Sequence, residues 1–361
     1  MRFVKKRKTG FIHFVWLEFR ETSYVFWIRF LAVCYISLTL SNTTFAKPLH
    51  LIFTSVVKGK EILLVRDEFI KQLSPFDKSA RLKVQKDVTE KEFLVFISRQ
   101  VLSWRADEEK KVLIAIEKIK LGLAKFCLNF PSTIYLIKTT GKEEGNAAYT
   151  RGQAIIIPQD RLESSQERLT HLVAHELFHI LSRYQKELRE QLYQVIGFKK
   201  YNKHIFPTDL EDQKITNPDA PRNFHWIRIK FKDNFFWAAP ILFSKTKRYD
   251  SEQGDSFFQY LEFRLLLVSS TDGELPLISD EYDFKMVKVE EVSGFFDQIG
   301  RNTQYVIHPE EIIAENFVFI VLEENQLPSP KITGKIRKLL AKNSNNCSDR
   351  QLFKKEALPK N

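Results

Sequence analysis

A chain of 361 residues with 43% hydrophobic and 28% charged side chains can bury a sizeable core, and this composition excludes a disordered or fibrous protein. Three cysteines (Cys34, Cys127 and Cys347), none at metal-ligand spacing from another, exclude a disulfide-dense scaffold and a cysteine-held zinc. The formal charge of +11 is uneven: residues 1–46 hold seven Lys or Arg against Glu18 and Glu21, and farther on basic and acidic residues interleave without a nucleic-acid-binding module, so no nucleic acid is expected as a partner.

Residues 1–46 read as a targeting leader. A basic stretch precedes the apolar run 30–40, and the small-residue site Thr44-Phe45-Ala46 follows, so cleavage after Ala46 is expected to release an exported chain. The alternative is a membrane anchor over residues 24–40, 17 residues with Arg29 inside, which is short for a spanning helix. Membrane contact is expected only through this segment, if it stays uncleaved.

Residues 47–130 read as an N-terminal helical region, with amphipathic helices over 89–104 and 108–126; Leu113, Ile116, Ile119 and Leu123 share one face of the second. Cys127 reads as a small buried hydrophobe, and the sequence leaves its pairing with Cys347 open. Residues 133–137 read as a strand, 142–146 as a turn and 147–158 as a second strand. An extended peptide could pair with that second strand.

Residues 166–184 contain no Gly or Pro and carry apolar side chains at helical spacing, with Ser164 and Glu167 in a capping-box pattern. Within this predicted helix lies His175-Glu176-Leu177-Phe178-His179. Residues i and i+4 share a helix face, so His175 and His179 can hold one zinc ion while Glu176 reaches a water on it as general base. After a short helix over 186–195, residues 198–223 are irregular and the signal turns β-like to about residue 289, with clean alternation over 227–232. A helix follows Pro309 to about Leu322, another spans 329–342, and residues 343–361 read as a polar tail.

A zinc site with two histidines needs a third protein ligand. The pattern H-E-x-x-H-x-x-G-x-x-H is excluded, since Ser182 and Gln185 stand at its last two defined positions. Glu311 is the leading candidate. Pro309 places it in the first turn of a helix, where the dipole favours a carboxylate, and Glu315 lies one turn on, where it can accept a hydrogen bond from a ligand histidine. Glu187 and Glu190 follow His179 too closely, and Glu310 and Asp219 rank below Glu311.

H-E-x-x-H on one helix with Glu311, Ala314 and Glu315 on a later one resembles the gluzincin type of zinc metallopeptidases, whose second helix carries E-x-x-[AS]-D. Glu315 departs from that pattern by one methylene. About 130 residues separate His179 from Glu311, more than the simplest members have, which an insert over about 198–289 explains. The resemblance implies an α+β fold: a zincin-like domain over 131–342 with an active-site helix, a small mixed sheet and a β-rich insertion.

It also implies one Zn2+ per chain held by His175, His179 and Glu311, a peptide or protein substrate, and Glu176 as base. Tyr149, His225, Tyr305 and His308 are candidates to stabilise an oxyanion or touch substrate. The alternatives are a fold of this kind that binds a partner without turnover, and a secreted non-enzymatic domain in which the motif is accidental.

Overall fold

A computed structural model of the chain describes residues 49–203, 205–254, 257–269, 284–344 and 353–355. The predicted leader, Cys34, Cys347 and most of the predicted tail lie outside these residues. The first half runs β1 (Leu49–Phe53), α1 (Val56–Leu63), α2 (Glu68–Gln72), α3 (Pro75–Leu82), α4 (Glu90–Ser98), β2 (Val101–Leu102), α5 (Ala106–Leu123), β3 (Thr133–Thr139), β4 (Tyr149–Arg151) and β5 (Ala154–Pro158). Then come α6 (Gln159–Leu162), α7 (Gln166–Tyr184), α8 (Lys186–Val195), β6 (Phe198–Lys200), β7 (His225–Phe231), β8 (Asn234–Ser244), β9 (Leu261–Ser269) and β10 (Lys285–Val287). The chain finishes with α9 (Phe295–Ile299), α10 (Pro309–Val321), α11 (Pro330–Ser344) and β11 (Phe353–Lys355). The fold is α+β.

The first sheet has the order β11-β1-β3-β5-β4, with β2 beside β3. Strands β1, β3 and β5 are parallel, and β4 turns back antiparallel on β5 to form an edge. Helices cover both faces, so β5 reads as a run of apolar residues with every position buried. One face (Ile134, Leu136, Ile155, Ile157) packs on α5 and α7. The other (Ile137, Ile156, Tyr149) packs on residues of α1, α2 and α4 such as Leu63, Phe69 and Phe93.

The second sheet, β10-β9-β8-β7-β6, is antiparallel throughout and lies within the span expected to be β-rich.

Several expected boundaries move. The helix predicted over 89–104 stops at Ser98, because Val101 and Leu102 pair with Thr139 and Lys138 of β3. The strand predicted over 147–158 is a hairpin, since Gly152 turns the chain at φ 56°. The predicted cap of α7 shifts by one residue: Ser165 Oγ accepts the Arg168 N–H at 3.4 Å, while Ser164 Oγ donates to the Arg161 carbonyl at 2.6 Å at the end of α6. Residues 47–130 are not only helical, since β1 lies inside the sheet between β11 and β3. The tail contributes β11, which pairs parallel with β1. Cys127 is disulfide-bonded rather than a free small hydrophobe, and its partner lies outside the described residues. Among the described residues, no helix is long and apolar enough to cross a membrane.

Helix α10 lies between α7, α5 and α11 in the core. Its far end meets α5 so closely that a Cβ on Gly122 would stand 1.9 Å from the Val321 carbonyl oxygen. That contact, with the α7–α10 packing, fixes how the two site-bearing helices face each other.

Candidate metal centre

His175, Glu176 and His179 project from the middle of α7, and Glu310, Glu311 and Glu315 from α10, whose first residue is Pro309. His308 caps α10: its Nδ1 accepts the Glu310 N–H at 3.0 Å. The acidic residues of the first turn are thus at the positive end of the helix dipole, facing the two imidazoles.

The two rings converge on one oxygen. Glu311 Oε2 lies 3.0 Å from His175 Nε2 and 3.5 Å from His179 Nε2, and the three side chains form one group able to share an ion. Zinc ligands at about 2.0–2.1 Å in a tetrahedron are about 3.3 Å apart, so these separations fit a common metal. His179 Nε2 is buried and has no hydrogen-bond partner among the described residues. An orphaned imidazole nitrogen aimed at a carboxylate oxygen is what a ligand set looks like, and soft-to-borderline nitrogen with one oxygen suits zinc.

Each ring is held from behind. His175 Nδ1 donates to Glu315 Oε1 at 2.8 Å, and His179 Nδ1 donates to Glu310 Oε1 at 2.8 Å. Holding Nδ1–H turns each Nε2 lone pair outward, the arrangement a metal ligand needs. Glu310 is anchored in turn by the Ser182 hydroxyl at 2.6 Å and by the Tyr193 hydroxyl. Asn217 Nδ2 donates to the other oxygen of Glu311 at 2.6 Å.

The electrostatics agree with a cation site. Burial opposes charge on His175, but hydrogen bonds to Glu311 and Glu315 outweigh it and lift its pKa to about 10. His179 is raised well above its ordinary value, against burial, by Asp219 and Glu311. Burial would raise Glu311, yet the two rings hold it well below the usual carboxylate range. The carboxylates around these rings therefore draw positive charge into the cluster, which a divalent cation can supply in place of protons.

Glu176 is 4% exposed and its Oε2 has no hydrogen-bond partner among the described residues. Burial first, then the neighbouring Asp219, raise its pKa to about 8.

The four candidates for oxyanion or substrate contact separate. Tyr305 is 45% exposed, and its ring lies 6.3 Å from that of His175. Burial of its hydroxyl end, then Glu311, Asp219 and Glu176, keep its phenol proton on. His308 is occupied as the cap of α10 and lines a cavity of about 20 Å³, room for roughly one water. His225 Nε2 bonds Glu190 at 2.8 Å and its ring abuts Tyr193, one layer behind the ligands.

Tyr149 is misplaced by the sequence reading. Successive strand residues face opposite ways, so Thr150 points toward α7 while Tyr149 is buried in the core on the far side of the sheet. Of the rival ligands, Glu187 is exposed, and Glu190 is engaged by His225 and Arg189.

Two residues ranked as weaker ligand candidates from the sequence lie against the ligand set in other roles. Glu310 ranked below Glu311 as a ligand, yet it secures the second histidine; the signal was the pair of adjacent acids at a helix start, whose side chains diverge by about 100° and so can serve two rings. Asp219 lies within 4.8 Å of Glu176 and His179 and comes from an irregular segment without a pattern to mark it.

A family model described as the eCIS core domain matches residues 139–187. That stretch runs from the end of β3 through the β4–β5 hairpin and α7 into α8, and it includes His175, Glu176 and His179 but none of Glu310, Glu311 and Glu315. No curated protein matches the chain, and no solved structure does.

Proposed function

We propose that the chain is a zinc-dependent peptidase of the zincin type, acting outside the cytoplasm. The observation that carries this reading is the convergence of His175 Nε2 and His179 Nε2 on Glu311 Oε2, with a separate carboxylate behind each ring. A zinc ion bound there supplies a Lewis acid for a water molecule and a peptide carbonyl. Glu176, buried and with one oxygen lacking a partner among the described residues, takes up a proton from the attacking water and returns it to the leaving amine.

Of the candidate donors for the developing oxyanion, Tyr305 has its ring beside that of His175, 6.3 Å away. Strand β4 ends the order of its sheet, the position at which an extended chain can add as a further strand. The disulfide at Cys127 fits an oxidising compartment, as the leader reading does. A fold of this kind that binds without turnover would have no use for a buried carboxyl at Glu176 with one oxygen unpartnered among the described residues.

The test compares wild type with Glu176→Gln, both zinc-loaded, on a library of unstructured fluorescence-quenched peptides. Wild type is expected to cleave, and the variant to keep its zinc while losing about 10²–10⁴ in rate. A zinc-loaded wild type no faster than Glu176→Gln overturns the peptidase reading.

A further inference from the structure

Residues 214–223 pass beside the candidate centre, where Asn217 bonds to it and Asp219 lies against it. Asn217 holds Glu311, and the Asp219 carboxylate lies beside Glu176 and His179. Asp219 Oδ1 accepts the Thr150 N–H at 2.9 Å and the Thr150 hydroxyl as well. Arg183 reaches both partners, at 2.9 Å from Thr150 Oγ1 and 3.8 Å from Asp219. Upstream, the Thr216 N–H donates to Asp77 at 3.1 Å and the Thr216 carbonyl accepts from Arg81 at 3.0 Å. Arg81 itself is buried between Asp77 and Glu144. Pro218 restricts the backbone between these anchors, and Pro221 restricts it just beyond Asp219.

Thr150 is the middle residue of β4, paired with Ile155 in an antiparallel hairpin. Backbone groups alternate along such a ladder, so its N–H points out from the sheet edge. An extended peptide adding itself as the next strand would use that outward donor. In this structure Asp219 takes it.

We propose that residues 214–223 are an internal strap occupying the substrate cleft, anchored by Asp219, and that an extended peptide reaches the β4 edge and Glu176 only when the strap is displaced. The proposal rests on the peptidase reading for its substrate. It makes the enzyme self-restrained, with apparent affinity reduced by the fraction of molecules whose strap is open. An activating partner or substrate would act by competing for the Thr150 donor.

The experiment uses the zinc-loaded full chain, with two readouts: backbone hydrogen exchange at Thr150, and hydrolysis of the same quenched-peptide library. Asp219→Ala is expected to speed Thr150 exchange and to raise kcat/KM, chiefly through KM, each by about tenfold or more. Thr150→Val removes only the hydroxyl and is expected to move both readouts the same way by less, which guards against a folding defect in the first variant. Faster exchange with no hydrolysis by either protein supports the strap and counts against the peptidase reading. Unchanged exchange at Thr150, or lower activity in Asp219→Ala, overturns the strap whatever the wild-type activity.

Discussion

Glu310 and His179 form a hydrogen bond of 2.8 Å across two helices, so the residue next to the candidate ligand Glu311, and not the ligand itself, sets the orientation of the second histidine ring. The carboxylate behind His175 sits one helical turn further on, at Glu315. The two supports are therefore separable by mutation.

Glu310→Gln keeps the shape of the side chain but weakens the charged acceptor at His179 Nδ1. Zinc affinity is expected to fall by about 10–100-fold, as measured by competition with a coloured chelator. Glu315→Gln is expected to act similarly through His175. An affinity unchanged in both variants would mean that these carboxylates do not position the rings.

Glu143 gives a pH dependence away from the ligands. Burial first raises its pKa to about 7, outweighing Thr139 nearby. With the folded value above the ordinary 4.5, the protonated form is favoured by folding, so this stability is complete below about pH 4.5 and is lost as pH rises through about 7. Glu143→Gln is expected to remove that dependence and to be more stable than wild type above pH 7 by about 1–3 kcal/mol in chemical denaturation. Parallel stability profiles for the two proteins would contradict it.

Gly122 tests the helix contact that holds α10 in place. In an ordinary helix interior, Gly to Ala stabilises by up to about 1 kcal/mol. Here the new methyl meets the Val321 carbonyl oxygen at 1.9 Å, a backbone atom that cannot swing aside as a side chain would. Gly122→Ala is expected to lower stability by about 1–3 kcal/mol, read as a drop in Tm. A stabilised variant would mean that α5 and α10 can separate at no cost.

Much of this arrangement was legible in local sequence. His175 and His179 announce a shared face because helical periodicity is rigid over five residues. Glu311 and Glu315 were found through the same periodicity and the Pro309 start signal. Periodicity also marked the β-rich span, because alternation in β7 reports one buried face. What was not legible depends on contacts distant in sequence. The end of α4 is set by pairing with β3, and the side on which Tyr149 lies is set by where the hairpin turns. Asn217 and Asp219 sit in a segment without periodicity, and only folding brings them against Glu311 and Thr150.

The most direct test of a zinc site between α7 and α10 is an anomalous difference map, recorded at the zinc absorption edge, from crystals of the zinc-loaded chain. One zinc ion is expected within about 2.0–2.2 Å of His175 Nε2, His179 Nε2 and a Glu311 oxygen. A chain that binds no zinc between α7 and α10, or binds it without Glu311, would contradict it.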